Sequence, residues 1–122
     1  MNLKNKFMLS EKINILIVED ESIVALDLAA GLENDGYHIA GIADNAIEAR
    51  ELFTAHKVDI LLMDVNIIGD KDGIDTAIEL LQQRTVPVIF LTAFTDPATI
   101  SRVKHIQAAA FLPNLTVLST YG

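Results

Sequence analysis

At 122 residues the chain is the size of one ordinary domain, which excludes a multidomain enzyme or a long repeat array. With 51% of residues hydrophobic and 21% charged, it carries enough apolar surface for a packed core, so intrinsic disorder is excluded as well. Nine Lys and Arg against seventeen Asp and Glu leave a formal net charge of -8, which repels nucleic-acid phosphates and anionic membranes, and zero Cys removes disulfide and thiolate chemistry and fits a cytoplasmic setting.

Residues 1–12 read as a lead-in, with an apolar block too short for a signal-peptide core. Residues 13–18 form a β-branched run that stops at Glu19-Asp20-Glu21, the pattern of a buried strand emptying into a polar loop. From Ser22, the positions Ile23, Leu26, Ala29, Ala30 and Leu32 follow helical spacing until Asn34-Asp35-Gly36. A short strand over 37–42 follows, then a helix carrying Ala46, Ile47, Ala49, Leu52 and Phe53 that runs out near His56-Lys57.

Residues 58–63 and 86–91 are nearly all apolar and end at Asp64 and Thr92, as strands buried on both faces do. Between them the spacing predicts a helix over 75–84, entered through a turn over 69–73 in which Gly69, Asp70, Asp72 and Gly73 read as solvated turn residues. Asp96-Pro97 reads as an N-cap followed by a first-turn proline, opening a helix through about Gln107, and 108–112 is a fifth strand. The order βαβαβαβαβ with short connections predicts an α/β fold, one parallel sheet with helices on its faces.

Ligands of such sheets sit beyond the carboxyl ends of the strands. Glu19 and Asp20 end the first strand, Asp64 the third and Thr92 the fourth. If the first and third strands are neighbours, three carboxylates converge, and like charges at that spacing call for a cation. Hard all-oxygen ligation suits Mg2+ or Mn2+. The three histidines, His38, His56 and His105, are scattered and have no ligand spacing or nucleophile partner.

These residues resemble the receiver domain of two-component response regulators. Residues 15–21 look like its acidic opening motif, Leu61-Leu62-Met63-Asp64 like its phosphoacceptor strand, and Leu91-Thr92-Ala93 like its switch-threonine strand, all within a domain expected over 13–113. The resemblance implies a doubly wound, five-stranded, flavodoxin-like sheet of order 2-1-3-4-5. It implies that Asp64 accepts a phosphoryl group from a sensor histidine kinase, with Mg2+ held directly by Asp20 and Asp64, through water by Glu19, and by the backbone carbonyl of Asn66. Thr92 would bond the phosphate and Phe111 would be the aromatic that switches with it. The protein would then signal to an effector partner and catalyse at most its own phosphorylation and dephosphorylation. An Asp-nucleophile phosphatase resembling the haloacid dehalogenases needs a second Asp two positions on, where Asn66 stands.

The resemblance fails at the end. Where the family has Lys then Pro, three residues after the switch aromatic, this chain has Asn114 and Leu115, and 114–122 is too short and too rich in Thr and β-branched residues for a fifth helix. An Asn amide supplies a hydrogen bond but no charge, which leaves a pseudo-receiver interaction module as the alternative function. Without the last helix, an uncovered sheet face would favour self-association, for instance as a homodimer. The tail from Asn114 can be encoded AAC CTT ACC GTC CTG AGT ACT TAC GG plus any base, and one A restored at its front gives Lys-Pro-Tyr-Arg-Pro-Glu-Tyr-Leu-Arg. The tail is therefore either naturally divergent or the product of a one-base deletion. Sequencing the coding DNA decides: a deletion requires codons that return Lys-Pro in the neighbouring frame.

Overall fold

The computed structural model describes residues 11–91, 97–106 and 109–112. In chain order the elements are β1 (Asn14–Val18), α1 (Ser22–Asn34), β2 (His38–Ala43), α2 (Ala46–Ala55), β3 (Ile60–Asp64), α3 (Gly73–Gln83), β4 (Val88–Leu91), α4 (Pro97–Lys104) and β5 (Ala109–Leu112). The strands form one parallel sheet in the order β2-β1-β3-β4-β5, the order that the family resemblance implies. The expected N-cap at Asp96 and the tail over 114–122, with the question of a fifth helix, lie outside the described residues.

Both faces of the sheet are apolar because the strands alternate one buried residue up and one down. Leu16, Val18, Leu61, Met63, Val88 and Phe90 point to one side, where Ala49 and Phe53 of α2, Ile74, Ala77 and Leu80 of α3, and Val103 of α4 pack on them. Ile15, Ile17, Leu62 and Leu91 point to the other, beneath Ala25 and Ala29 of α1. Among the described residues no helix is long and apolar enough to cross a membrane.

Two helices differ from their sequence reading. In α1 the helical spacing begins at Ile23, yet Ile23 is 83% and Leu26 61% exposed, while Ala25 and Ala29 are buried. The small alanines let the helix lie close to the sheet, with Leu28 and Leu32 filling its flanks, so Ala29 and Leu32 of the expected stripe face inward while Ile23 and Leu26 do not. α3 starts two residues earlier than the apolar pattern suggests, because Asp72 caps it: its side chain accepts the Asp75 N–H at 3.0 Å.

Arg84, just after α3, ties that helix to the end of α2. Its guanidinium donates to the carbonyls of Phe53 at 2.7 Å and His56 at 2.8 Å, and lies 4.1 Å from the centre of the Phe53 ring. The Phe53 carbonyl belongs to the last turn of α2, which has no following turn to bond it, and His56 is the residue that ends the helix. Arg84→Ala is expected to cost about 1–3 kcal/mol, since two charge-assisted bonds and a cation–π contact go together. A urea midpoint unchanged from wild type would contradict this.

Candidate functional site

β1 and β3 are neighbours, and their register sets the site. Ile15 pairs with Ile60 and Val18 with Met63, so one step further Glu19 lies opposite Asp64. Glu19 continues the row of Ile15 and Ile17, and Asp64 that of Ile60 and Leu62, so both carboxyls leave the sheet on the same face. The strand ends are held: the Glu19 N–H donates to the Ala43 carbonyl at 2.8 Å and the Val65 N–H to the Leu91 carbonyl at 3.2 Å.

The expected convergence is present. Glu19, Asp20 and Asp64 each bring a carboxylate oxygen within 4.8 Å of the other two. Glu19 is 7% exposed, and Asp20 and Asp64 are partly buried. Among the described residues no Lys or Arg forms an ion pair with any of the three. Burial, reinforced by the hydrogen-bonded Asp64 carboxyl, pushes Glu19 up to about 8. Burial is also the largest cause at Asp64, pushed up to about 6, against the hydrogen bonds from Glu19 and the Asn66 N–H that pull it down. Two carboxyls in contact cannot both ionise cheaply without a cation, so metal-free they share a proton.

Backbone amides orient the pair. The Asn66 N–H donates to Asp64 Oδ1 at 3.2 Å, and the Glu21 N–H to Glu19 Oε2 at 3.1 Å. Thr92, expected at the same edge, lies outside the described residues. Phe111 falls in β5, paired in register with Phe90.

Gly73 has a larger part than a turn residue. A Cβ there would overlap the backbone carbonyl of Asp64, and the Gly73 N–H donates to the Val65 carbonyl at 2.7 Å. The head of α3 is thus pressed against the strand end that carries Asp64. Asp72 is also no solvated turn acid: besides capping α3 it takes both arms of the Arg102 guanidinium, at 2.7 and 3.1 Å. The Asp-x-x-Asp spacing from Asp72 to Asp75 is a sequence signal for the helix cap alone; the approach of Gly73 to Asp64 and the bond from Arg102 are long-range. Beside the site, between the head of α2 and the loop after β3, an open cleft of about 650 Å³ is lined by Asn45, Ile47, Arg50, Ile68 and Lys71. It includes none of the three acids.

The response regulator receiver domain model matches residues 15–114. The transcriptional regulatory protein PdtaR of Mycobacterium tuberculosis is 41% identical over 98 residues, covering 80% of this chain and 47% of that protein. The phyllosphere-induced regulator PhyR of Methylorubrum extorquens is 36% identical over 83 residues, 67% of this chain and 31% of that protein. This chain therefore spans less than half the length of these two relatives. Among solved structures, the signal receiver domain of a modulated diguanylate cyclase from Desulfovibrio desulfuricans G20 superposes with a TM-score of 0.76 at 33% identity, covering 84% of this chain and 83% of that one.

Proposed function

This chain belongs to the response regulator receiver domain family, and from that membership we propose that it accepts a phosphoryl group on Asp64 and passes the change to a partner protein. The observation that carries the reading is the meeting of Glu19, Asp20 and Asp64 at the carboxyl ends of two adjacent central strands. Domain limits of 13–113 are part of the same proposal.

The donor set fits a hard divalent cation such as Mg2+ or Mn2+: three carboxylates, no Lys or Arg among the described residues paired with them, and two of the acids raised by burial. Glu19, Asp20, Asp64 and the Asn66 carbonyl would hold the ion, which when bound supplies positive charge for the phosphoryl oxygens and for the ionised acids. The chain's own residues do the rest. Glu19 and Asp64 release their shared proton. The Asn66 N–H keeps Oδ1 of Asp64 directed, and the ionised carboxylate supplies the attacking oxygen. A new O–P bond forms to Asp64 as the N–P bond of a kinase phosphohistidine breaks, and the electron pair leaves with the imidazole nitrogen. Thr92 would then bond the new phosphoryl oxygens and Phe111 would take up the space it vacates.

A sensor histidine kinase is the proposed donor and an effector protein the proposed receiver of the signal, both in the cytoplasm, with no turnover beyond the domain's own phosphorylation and dephosphorylation. Asn114, in the place of a switch Lys, favours a second reading in which the fold is kept as an interaction module and phosphorylation no longer drives the change.

Labelling by a small acyl phosphate tests the first reading. Wild type should gain one phosphoryl group only when Mg2+ is present, and Asp64→Ala should lose about 100-fold or more of the labelling rate. Equal labelling of Asp64→Ala would remove Asp64 from its role, and no labelling of wild type would leave the interaction-module reading in force. Light scattering checks the proposed self-association: a monomer at high concentration would end that part.

A further inference from the structure

We propose that Arg102 is a positioning residue that couples the loop after Asp64 to α4 through an ion-pair latch on the head of α3, an inference that rests on Asp64 being the phosphoacceptor. The latch joins segments thirty residues apart. Arg102 Nη1 meets Asp72 Oδ2 at 2.7 Å, and its Nη2 meets Asp72 Oδ1 and Asp75 Oδ1, each at 3.1 Å. One planar guanidinium thus closes on two carboxylates that belong to the first turn of α3.

An exposed ion pair usually contributes little because its side chains are free to part. Here the acceptor is already fixed. Asp72 Oδ1 accepts the Asp75 N–H, and the Asp72 carbonyl accepts both the Thr76 N–H at 3.0 Å and its hydroxyl at 2.8 Å. Thr76 itself is fully buried. The carboxylate therefore presents a set geometry that suits the two-armed grip of Arg and not a point charge. The pairing with Arg102 also holds Asp72 below the ordinary carboxylate range, against the opposing effect of burial.

The other side of the same turn is the site. Gly73 lies against the Asp64 carbonyl and donates to Val65, so Asp64, Gly73, Asp72 and Arg102 form one mechanical series ending on α4. The loop over 65–72 is pinned at one end by the Asn66 N–H on Asp64 Oδ1 and at the other by Arg102 on Asp72, with Lys71 held by Glu79 at 2.8 Å. Phosphorylating an Asp64 oxygen, which makes an acyl phosphate, changes the acceptor at the first pin and adds negative charge beside it. The loop's readjustment is then drawn through Asp72 to α4.

Amide hydrogen exchange on the full chain, with and without Mg2+ and beryllofluoride as a phosphoryl mimic, tests this. Wild type should change exchange over 65–72 and over 97–104. In Arg102→Gln, and in Asp72→Asn, which keeps a good helix cap, the change over 65–72 should persist while that over 97–104 falls by about five-fold or more. Arg102→Lys should lie between. A full α4 response in both neutral variants overturns the latch, as does a uniform rise in α4 exchange that leaves the response to the mimic intact. A wild type with no change over 65–72 removes the phosphoacceptor reading, and the latch with it.

Discussion

Gly73→Ala is expected to cost about 3 kcal/mol or more of folding stability, an unusually large loss for one added methyl group. The methyl would occupy the space of the Asp64 carbonyl oxygen, with Met63 Cγ 3.0 Å away. The position of a Cβ is fixed by its own backbone and the carbonyl it meets is main chain, so no rotamer change relieves the clash. Either α3 retreats and breaks the 2.7 Å bond from the Gly73 N–H to the Val65 carbonyl, or the end of β3 moves and turns the Asp64 carboxyl away from Glu19. The same substitution at Gly31 meets nothing within 4 Å. Gly31 lies inside α1 and is exposed, so Gly31→Ala should stabilise by about 0.5–1 kcal/mol. Urea denaturation of the two variants should give opposite signs; a Gly73→Ala protein within about 0.5 kcal/mol of wild type would show that the close approach is not binding.

The second large effect is a pH dependence opposite to that of most carboxylates. Glu19 is raised from 4.5 to about 8 in the folded protein, chiefly by burial. A group whose pKa is higher folded than unfolded contributes stability that is fully present below the unfolded value and is lost as pH rises through the folded one. The metal-free protein should therefore weaken between about pH 4.5 and 8, by on the order of 2–4 kcal/mol once the sharing of the proton with Asp64 is allowed for. Mg2+ requires the ionised acids, so it should raise the melting temperature more at pH 8.5 than at pH 5.5. Glu19→Gln should flatten the metal-free profile, because a Gln amide can donate to Asp64 without ionising, and should weaken Mg2+ binding. Melting curves in EDTA that show the same slope for wild type and Glu19→Gln would refute the shared-proton account.

The strands could be read because nearly unbroken β-branched runs such as Ile15 to Val18 have few uses other than fully buried strands, while their order came with the resemblance to the receiver family. The acids could be read because a carboxylate directly after such a run has few structural reasons to be there. The packing side of α1 could not: two helical stripes compete, and which one faces inward depends on how closely the helix approaches the sheet, a tertiary quantity. The depth of Glu19 depends on the pairing of β1 with β3, and the bond from Arg102 to Asp72 joins positions thirty residues apart, so neither leaves a local trace. Gly73 looked like a turn glycine because its partner, the Asp64 main chain, is nine positions away.

The alignment of β1 with β3 has one more consequence. Strands that are apolar on both faces carry no alternating pattern to fix which residue sits beside which, and a slip by one position would cost their side chains little. The punctuation comes from the polar residues at the two ends. A slide of β3 in one direction would pull Asp64 in among the leucines, and in the other would push Met63 out into water. At the far end, Asp59 Oδ2 takes the main-chain and side-chain N–H groups of Asn14 at 2.8 and 3.1 Å. The acids at the strand ends thus act as end-stops, setting the frame in which the two central strands lock together.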